Sequence, residues 1–255
     1  MNKSAVIIGL GEMGSVFARG LLRLGFSVHP VLRDSDLTEI ADKIPNPDIV
    51  LVAVGEKDLH PTLKNYPSPW TDQITLLQNE LLPRDWKSHG FTSPTVISVW
   101  FEKKKGQDYK VLISSPVFGS KAQIICNALK TLNIPSHIVA SEDEMLFELV
   151  LKNVYILTTN ISGLITKGNV EDLWENHQPL ARAVASDVID IQEALTGSKF
   201  NREQLIDGMV KAIRGDLNHQ CMGRSAPARL ENAIAHADQS NLAVNKLREI
   251  AAEQL

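Results

Sequence analysis

The sequence predicts an α/β unit built on a doubly wound sheet, followed by an all-helical unit. Over the first 140 residues, short apolar runs alternate with amphipathic helical patterns, which is typical of a parallel sheet covered by helices. From Ser141 onward helical patterns dominate, and the acids Glu142 and Glu144 mark the start of the first helix. We therefore predict an N-terminal domain over 1–140 and a helical C-terminal domain over 141–255.

A glycine-rich turn with the spacing GxGxxG follows the first predicted strand. An amphipathic helix comes next, and after it a second strand over 26–32. In this setting Gly9 allows the turn, Gly11 leaves room for a pyrophosphate, and Gly14 lets the helix approach the sheet. The helix N-terminus then holds the phosphates. We therefore interpret residues 1–140 as a Rossmann-type NAD(P)-binding domain, the alternative being an ordinary glycine-rich turn. The predicted cofactor contacts in the turn are Gly9, Leu10, Gly11, Glu12, Met13 and Gly14.

The end of the second strand indicates which dinucleotide is bound. Arg33, followed by Asp34 and Asp36, lies about twenty residues beyond the turn, where dinucleotide folds contact the adenosine ribose. An arginine pairs with a 2′-phosphate, whereas an acid accepts from a free 2′-hydroxyl. Because Arg33 comes first, we expect NADP, with NAD as the alternative. The same residues could instead form a solvated turn that caps a short helix over 37–43.

The run 47–54 has no polar alternation, as in a central parallel strand covered on both faces. Val54, Gly55 and Lys57 lie at its carboxyl end and are predicted cofactor contacts, although Lys57 could equally be a surface residue. Residues 61–72 are expected to be mostly loop with at most a short helical turn, and residues 103–105 to form a solvated turn, the alternative being a phosphate-binding patch. A further loop is expected over 114–120, where it could line a pocket. The other predicted strands cover 74–77, 94–101, 109–115 and 136–139, and the predicted helices cover 122–132, 142–165, 178–196, 202–217, 225–237 and 239–254.

Composition favours a globular, cytoplasmic protein. Apolar residues make up 44% of the chain, charged residues 22%, and the net charge of −4 offers no basic field to nucleic acid. Cys126 and Cys221 are far apart and lack CxxC spacing, so we expect neither a disulfide framework nor a metal site. The apolar stretch 146–165 contains charged and amide residues, which favours a buried helix over a membrane span. The first strand begins within four residues, so we expect no signal peptide.

Taken together, these motifs resemble the ketopantoate reductases (2-dehydropantoate 2-reductases), of the 6-phosphogluconate dehydrogenase-like superfamily, over nearly the full length. The resemblance rests on residues 9–14, 31–33, 51–54 with Asp58-Leu59, 77–79, Phe147 with Asn153, 216–224 and Asn232. It implies hydride transfer from NADPH to a keto group. In that family a lysine on the first long C-terminal helix is the acid, and an asparagine and a glutamate orient the substrate.

When the family's positions are matched to this sequence, Asn153 stands at the position of the substrate-orienting asparagine. The lysine position is occupied by Leu149 and the glutamate position by Pro227. Gly55 stands where the family usually has a lysine, and Glu80 where it has a glycine. The predicted catalytic residues are Asn153, Lys152 and Asn79. Asn153 and Asn160 fall on one helix face, while Lys152 points about 100° away from Asn153. We expect Asn79 and Asn153 to meet at the substrate from opposite domains. The alternative is that Asn153 satisfies backbone groups within the helical core.

Four further residues could contribute to the site: His219, Arg224, Arg229 and Cys221. A structural interpretation is favoured for His219 and Cys221, and an ion pair is at least as good an interpretation of Arg224 and Arg229. The sequence thus predicts an NADP-dependent oxidoreductase that transfers hydride between NADPH and a small 2-keto or 2-hydroxy acid other than ketopantoate. The alternative is a non-catalytic dinucleotide-binding protein, such as a redox sensor or an assembly subunit. The expected partner is a small carboxylate or carbonyl substrate, with no membrane and with a homodimer left open.

Overall fold

The structure is a computed structural model that describes residues 3–255. The chain divides into two compact units, residues 1–148 and 149–255. The strands, all in the first unit, are β1 (Ser4–Ile8), β2 (Ser27–Val31), β3 (Ile49–Val52), β4 (Ile74–Leu76), β5 (Thr95–Ile97), β6 (Phe101–Lys103), β7 (Tyr109–Val111), β8 (Ser115–Phe118) and β9 (Ser136–Ile138). The first helices are α1 (Glu12–Arg23), α2 (Leu37–Lys43), α3 (Glu56–Lys64), α4 (Pro83–Lys87) and α5 (Ala122–Lys130).

Seven strands form one sheet in the order β2-β1-β3-β4-β5-β8-β9. Neighbouring strands are parallel except β5 and β8, which are antiparallel. The chain moves from β1 outward to β2 and then returns to β3 on the other side of β1. The strand order therefore reverses between β1 and β3, and ligands of such sheets bind beyond the carboxyl ends of the strands at this point.

The sheet is covered on both faces, as the unbroken apolar runs predict. Ile7 of β1 and Leu51 of β3 are fully buried, and they belong to one core with Phe17 and Leu21 of α1. The face of α5 that carries Ala128 lies so close to α1 that a Cβ on Gly20 would be 2.6 Å from the Ala128 carbonyl oxygen. Helix α1 therefore packs against both the sheet and α5, which itself contacts the sheet, and its N-terminus lies at the strand ends.

The second unit is helical, and the predicted fold class is confirmed. Helix α6 (Glu142–Thr166) begins in the first unit and continues into the second. The remaining helices are α7 (Val170–Asn176), α8 (Gln178–Thr196), α9 (Arg202–Gly215), α10 (Ala226–Gln239) and α11 (Asn245–Gln254). Helix α8 contacts α7, α9, α10 and α11 and is the centre of the unit. The predicted bounds of α2 and α8 are confirmed, and those of α5 and α6 are correct to within two residues.

Among the described residues, only α6 is long and apolar enough to cross a membrane. Its most apolar stretch is 72% buried within the fold, as in a core helix of a globular protein. The sequence-based expectation of a buried helix is therefore confirmed.

The loop predicted over 114–120 is wrong, because residues 115–118 form strand β8 inside the sheet. Ser115 is fully buried, and its Oγ accepts a hydrogen bond from the Trp100 backbone N–H at 2.9 Å. The Ser115 hydroxyl therefore accepts the hydrogen bond that a backbone carbonyl would otherwise accept from Trp100. A sequence pattern does not reveal this role of a polar residue in a strand. The strand predicted over 94–101 is likewise divided between β5 and β6.

The expectation that residues 61–72 are mostly loop, with at most a short helical turn, is wrong over part of that range. Helix α3 runs through Pro61 to Lys64, and a 3-10 turn follows over Ser68–Gln73. Pro61 lacks the N–H of a regular helical residue, but the turn around it is supported by side chains. Thr62 Oγ1 donates to the Asp58 carbonyl oxygen at 2.7 Å, and Asn65 Nδ2 donates to the Pro61 carbonyl oxygen at 3.0 Å.

Lys103 does not lie in a solvated turn as predicted. It ends β6, its side chain is only 19% exposed, and its Nζ lies 3.1 Å from Glu12 Oε2 at the start of α1. The short helices α4 and α7 were not predicted, and α11 begins six residues later than expected, at Asn245 rather than residue 239.

Candidate dinucleotide-binding site

The candidate site lies at the reversal of strand order between β1 and β3. Ile8, the last residue of β1, is in register with Val52, the last residue of β3. The glycine turn leaves β1 here, and Ala53, Val54 and Gly55 leave β3 beside it. Two chain segments with the chemistry predicted for cofactor binding are therefore adjacent at the carboxyl edge of the sheet.

The three glycines of the turn have three distinct roles. Gly9 has a φ of +92°, and a Cβ there would lie 2.9 Å from the Ala53 carbonyl oxygen, so both conformation and space require glycine. A Cβ on Gly14 would overlap the Gly9 carbonyl oxygen, which is how α1 approaches the strand so closely. A Cβ on Gly11 would meet no atom within 4 Å, because this residue borders open space. A bound pyrophosphate would fill that space.

The N-terminus of α1 is available to an anion. Gly11 is its N-cap, and no side chain caps it among the described residues. The first N–H groups of a helix lack intrahelical partners and carry the positive end of the dipole, so they bind phosphate well. Glu12 is the acid nearest to this end, and its pairing with Lys103 offsets a charge that would otherwise repel phosphate.

A cavity of about 510 Å³ extends from the glycine turn along the ends of β2 and β3. This volume is within the usual range for small-molecule sites. Of the predicted cofactor contacts, it is lined by Gly9, Leu10, Gly11, Arg33, Val54 and Gly55. Glu12, Met13, Gly14, Lys57 and Asn79 do not line it. The lining residues that sequence reasoning missed are Ile8, Val31, Leu32, Ser35, Leu37, Ala53, Asp58, Pro61, Thr62 and Asn65.

Four of the missed residues share one face of α3. Asp58, Pro61, Thr62 and Asn65 follow the i, i+3, i+4, i+7 spacing of a helix face. That spacing is visible in the sequence, but Pro61 and Pro67 favoured a loop.

Arg33 lies at the mouth of the cavity, in the turn that follows β2. Two hydrogen bonds between Leu32 and Ser35 stabilise this turn. Ser35 Oγ accepts from the Leu32 N–H at 3.0 Å, and the Ser35 N–H donates to the Leu32 carbonyl oxygen at 3.0 Å. The Arg33 side chain is 84% exposed, and its Nη2 lies 3.7 Å from Asp58 Oδ2. The guanidinium is thus beside the cavity and accessible to a ligand.

Gln78 joins the ends of β3 and β4. Its amide nitrogen donates to the carbonyl oxygens of Val52 at 2.8 Å and Val54 at 3.2 Å, so it fixes the strand end that borders the cavity. Asn79 follows and is partly exposed. Glu80 has a φ of +58°, the left-handed conformation that glycine adopts most easily. The residue that stands at the glycine position of the family resemblance thus has a backbone conformation that favours glycine.

In the helical unit Asn153 is 1% exposed, and its Nδ2 donates to Gln192 Oε1 of α8 at 2.9 Å. This contact joins α6 to α8 and favours the structural alternative of a buried asparagine within the helical core, although its partner is a side chain rather than the expected backbone group. Lys152 is partly buried on the neighbouring face of α6. Asn160 accepts from Arg229 Nη1 at 2.9 Å, so the second asparagine of the face also has a partner within the helical unit.

Cys221 has the environment of an unreactive thiol. It is 1% exposed, and desolvation together with the nearby Asp172 carboxylate raises its pKa to about 11. At neutral pH it is therefore protonated and is not a nucleophile. His219 lies close to Asp216, with 3.8 Å between Nδ1 and Oδ2, which supports a structural interpretation of that histidine.

Comparisons with known proteins agree with this geometry. No protein-family model and no curated protein matches the sequence. Solved structures do match: 2-dehydropantoate 2-reductase from Methylococcus capsulatus has a TM-score of 0.71 at 13% identity, covering 98% of this chain and 95% of that one. The dimeric ketopantoate reductase from Staphylococcus aureus has a TM-score of 0.67 at 15% identity, with 98% and 97% covered. The chain has the ketopantoate reductase fold.

The resemblance inferred from the motifs is thereby confirmed as a likeness of fold over nearly the whole chain. A D-mandelate dehydrogenase in complex with NADH also shares this fold, with a TM-score of 0.68 at 12% identity and 100% and 97% of the two chains covered. The ketopantoate reductase fold therefore accommodates more than one dehydrogenase activity, and the residues of each chain must decide which one it has.

Proposed function

We propose that the chain is an NADP-dependent oxidoreductase that transfers hydride between NADPH and a small 2-keto or 2-hydroxy acid, with ketopantoate itself a poor substrate. The observation that carries the proposal is the continuous cavity from the open space at Gly11 to the guanidinium of Arg33. Its two ends have the donors that a pyrophosphate and a 2′-phosphate require. The residues present therefore fit a dinucleotide.

Gly11 and the first N–H groups of α1 would hold the pyrophosphate, and Arg33 the 2′-phosphate. Bound NADPH would supply the hydride to a carbonyl carbon. The exposed side chains of Leu10 and Leu32 give the cavity an apolar border suited to the adenosine. The structural neighbour D-mandelate dehydrogenase was solved with NADH and anilino(oxo)acetate, which agrees with a small oxo acid as the substrate class.

For the substrate, Asn79, Lys152 and Asn153 stay the proposed catalytic residues. An amide donates and accepts, so it can hold a carbonyl or a hydroxyl in either direction of the reaction. Lys152 is the cation nearest in sequence to the position where the family resemblance expects an acid. In this proposal an amide side chain holds the carbonyl or hydroxyl of the substrate, and Lys152 supplies the proton to the reduced oxygen.

A second candidate function is favoured by a specific observation. Asn153 is engaged by Gln192, and a buried leucine, Leu149, stands at the position of the expected lysine. A chain that kept the cofactor cavity without a catalytic acid would be a dinucleotide-binding sensor or an assembly subunit. A screen of 2-keto and 2-hydroxy acids, followed at the nicotinamide absorbance, separates the two functions, since turnover of any compound rejects the second.

We further propose a cytoplasmic location and a homodimer. A structural neighbour is described as a dimeric ketopantoate reductase. The net charge of −4 and the largely buried α6 suit a protein with neither a nucleic-acid nor a membrane partner.

Arg33→Ala tests the cofactor assignment. Losing a hydrogen bond to a charged group costs about 1.5–3 kcal/mol, so NADPH binding should weaken by about 10- to 150-fold. NADH lacks the 2′-phosphate and should bind nearly as before. The measurement is a titration of both nucleotides into the wild-type protein and the variant. Equal losses for NADH and NADPH would contradict the assignment of Arg33 to the phosphate.

A further inference from the structure

The acid that reaches the cavity beside Arg33 does not come from β2. Sequence reasoning pointed to Asp34 and Asp36, yet neither lines the cavity. Asp34 is exposed, and Asp36 caps α2, with its carboxylate accepting from the N–H groups of Thr38 and Glu39 at 2.8 and 3.2 Å. Asp58, from the next helix, does line the cavity.

Asp58 is held firmly by the start of α3. It is the third residue of the helix, its N–H donates to the Gly55 carbonyl oxygen at 2.9 Å, and its carbonyl oxygen accepts from Thr62 Oγ1 at 2.7 Å. The N-terminal end of a helix favours a carboxylate in the first turn. The side chain is 43% exposed, so the carboxylate is open to a ligand while its backbone is fixed.

We propose that Asp58 sets the cofactor selectivity of this cavity: it competes with a 2′-phosphate for Arg33 and accepts a hydrogen bond from the adenosine ribose when that phosphate is absent. The proposal rests on the proposed dinucleotide site. Arg33 and Asp58 are 3.7 Å apart and line the same cavity, so a phosphate that binds Arg33 must approach the carboxylate. An Arg–Asp pair at this place thus permits either nucleotide and limits the preference for NADPH.

The magnitude of this competition follows from the charges. A phosphate monoester carries about −1.5 to −2 charges at neutral pH. Two unit charges about 4 Å apart in water change a binding constant by about fivefold. The ion pair itself is exposed, and such pairs contribute little to holding a side chain in place. Repulsion of the phosphate should therefore exceed any benefit that Asp58 gives by orienting Arg33.

The test is a titration of NADPH and NADH into the wild-type protein, Asp58→Asn and Asp34→Asn. Asp34→Asn is the matched control, because it removes the same charge from the residue next to Arg33 without altering the cavity wall. Asp58→Asn should tighten NADPH binding by about tenfold and weaken NADH binding severalfold. The ratio of the affinity for NADPH to the affinity for NADH should therefore rise by more than about tenfold. Asp34→Asn should move that ratio by less than about threefold.

Equal shifts in Asp58→Asn and Asp34→Asn would show a general field effect and overturn the proposal, as would an unchanged ratio in Asp58→Asn. If Asp58→Asn fails to fold by circular dichroism, Asp58→Ser serves in its place, because serine also suits the first turn of a helix. Wild-type binding of either nucleotide supports the proposed dinucleotide site whatever Asp58 does. Wild-type binding of neither rejects the dinucleotide site and the role of Asp58 with it.

Discussion

Gly14→Ala should destabilise the N-terminal unit by about 3 kcal/mol, whereas Gly11→Ala should leave its stability within about 1 kcal/mol of the wild type. The added methyl of Gly14→Ala overlaps the Gly9 carbonyl oxygen, and backbone on both sides would have to move. The methyl of Gly11→Ala meets nothing within 4 Å, and the φ of −78° and ψ of −162° at this residue suit alanine. Urea unfolding followed by far-ultraviolet circular dichroism measures both.

The two variants add the same methyl group to the same turn, so each is the control for the other. Equal losses of stability would show that the turn responds to any side chain, and the separate roles assigned to Gly11 and Gly14 would then be wrong.

Ketopantoate should be reduced about 10²- to 10⁴-fold more slowly than by an enzyme with a general acid at the position of Leu149, because proton transfer by a positioned acid contributes rate factors of that size. Leu149 is 3% exposed and Pro227 cannot hold a substrate hydroxyl as a glutamate does. The rate of NADPH oxidation with ketopantoate measures this, with a panel of other 2-keto acids in parallel as the control.

Rapid turnover of ketopantoate would contradict this expectation. It would also mean that another group supplies the proton, and Lys57, Lys152 and His219 would then be tested individually by substitution.

The parts of the fold that could be predicted are those whose signal is local. The glycine turn, α1 and the buried strands β1 and β3 depend on residue spacing and on unbroken apolar runs, and both are visible in the sequence. Strand β8 could not be predicted, because its first residue, Ser115, is polar in the sequence yet buried in the sheet, where its Oγ accepts from the distant Trp100 N–H. Lys103 was misjudged for the same reason, since its partner Glu12 is 91 residues away in the chain.

In the candidate site, too, the residues with a local sequence signal could be predicted and those that depend on distant contacts could not. Gly9, Gly11 and Arg33 line the cavity, and the sequence singles them out because a known motif fixes their spacing. Asp58 and Thr62 were missed because Pro61 suggests a break where α3 continues, and hydrogen bonds from Thr62 and Asn65 support the helix there. Asn153 has a partner, Gln192, that is 39 residues away, and no local pattern identifies such a pair.

The central claim, that the cavity beside the glycine turn binds a dinucleotide, is tested most directly by calorimetric titration of NADPH into the wild-type protein and Gly11→Ala. We expect saturable binding of one NADPH per chain to the wild type. The methyl group of Gly11→Ala should weaken that binding by about tenfold or more, because it separates the pyrophosphate from charge-assisted N–H donors while the fold is kept. No saturable binding to the wild type, or equal binding to a folded Gly11→Ala, would contradict the claim.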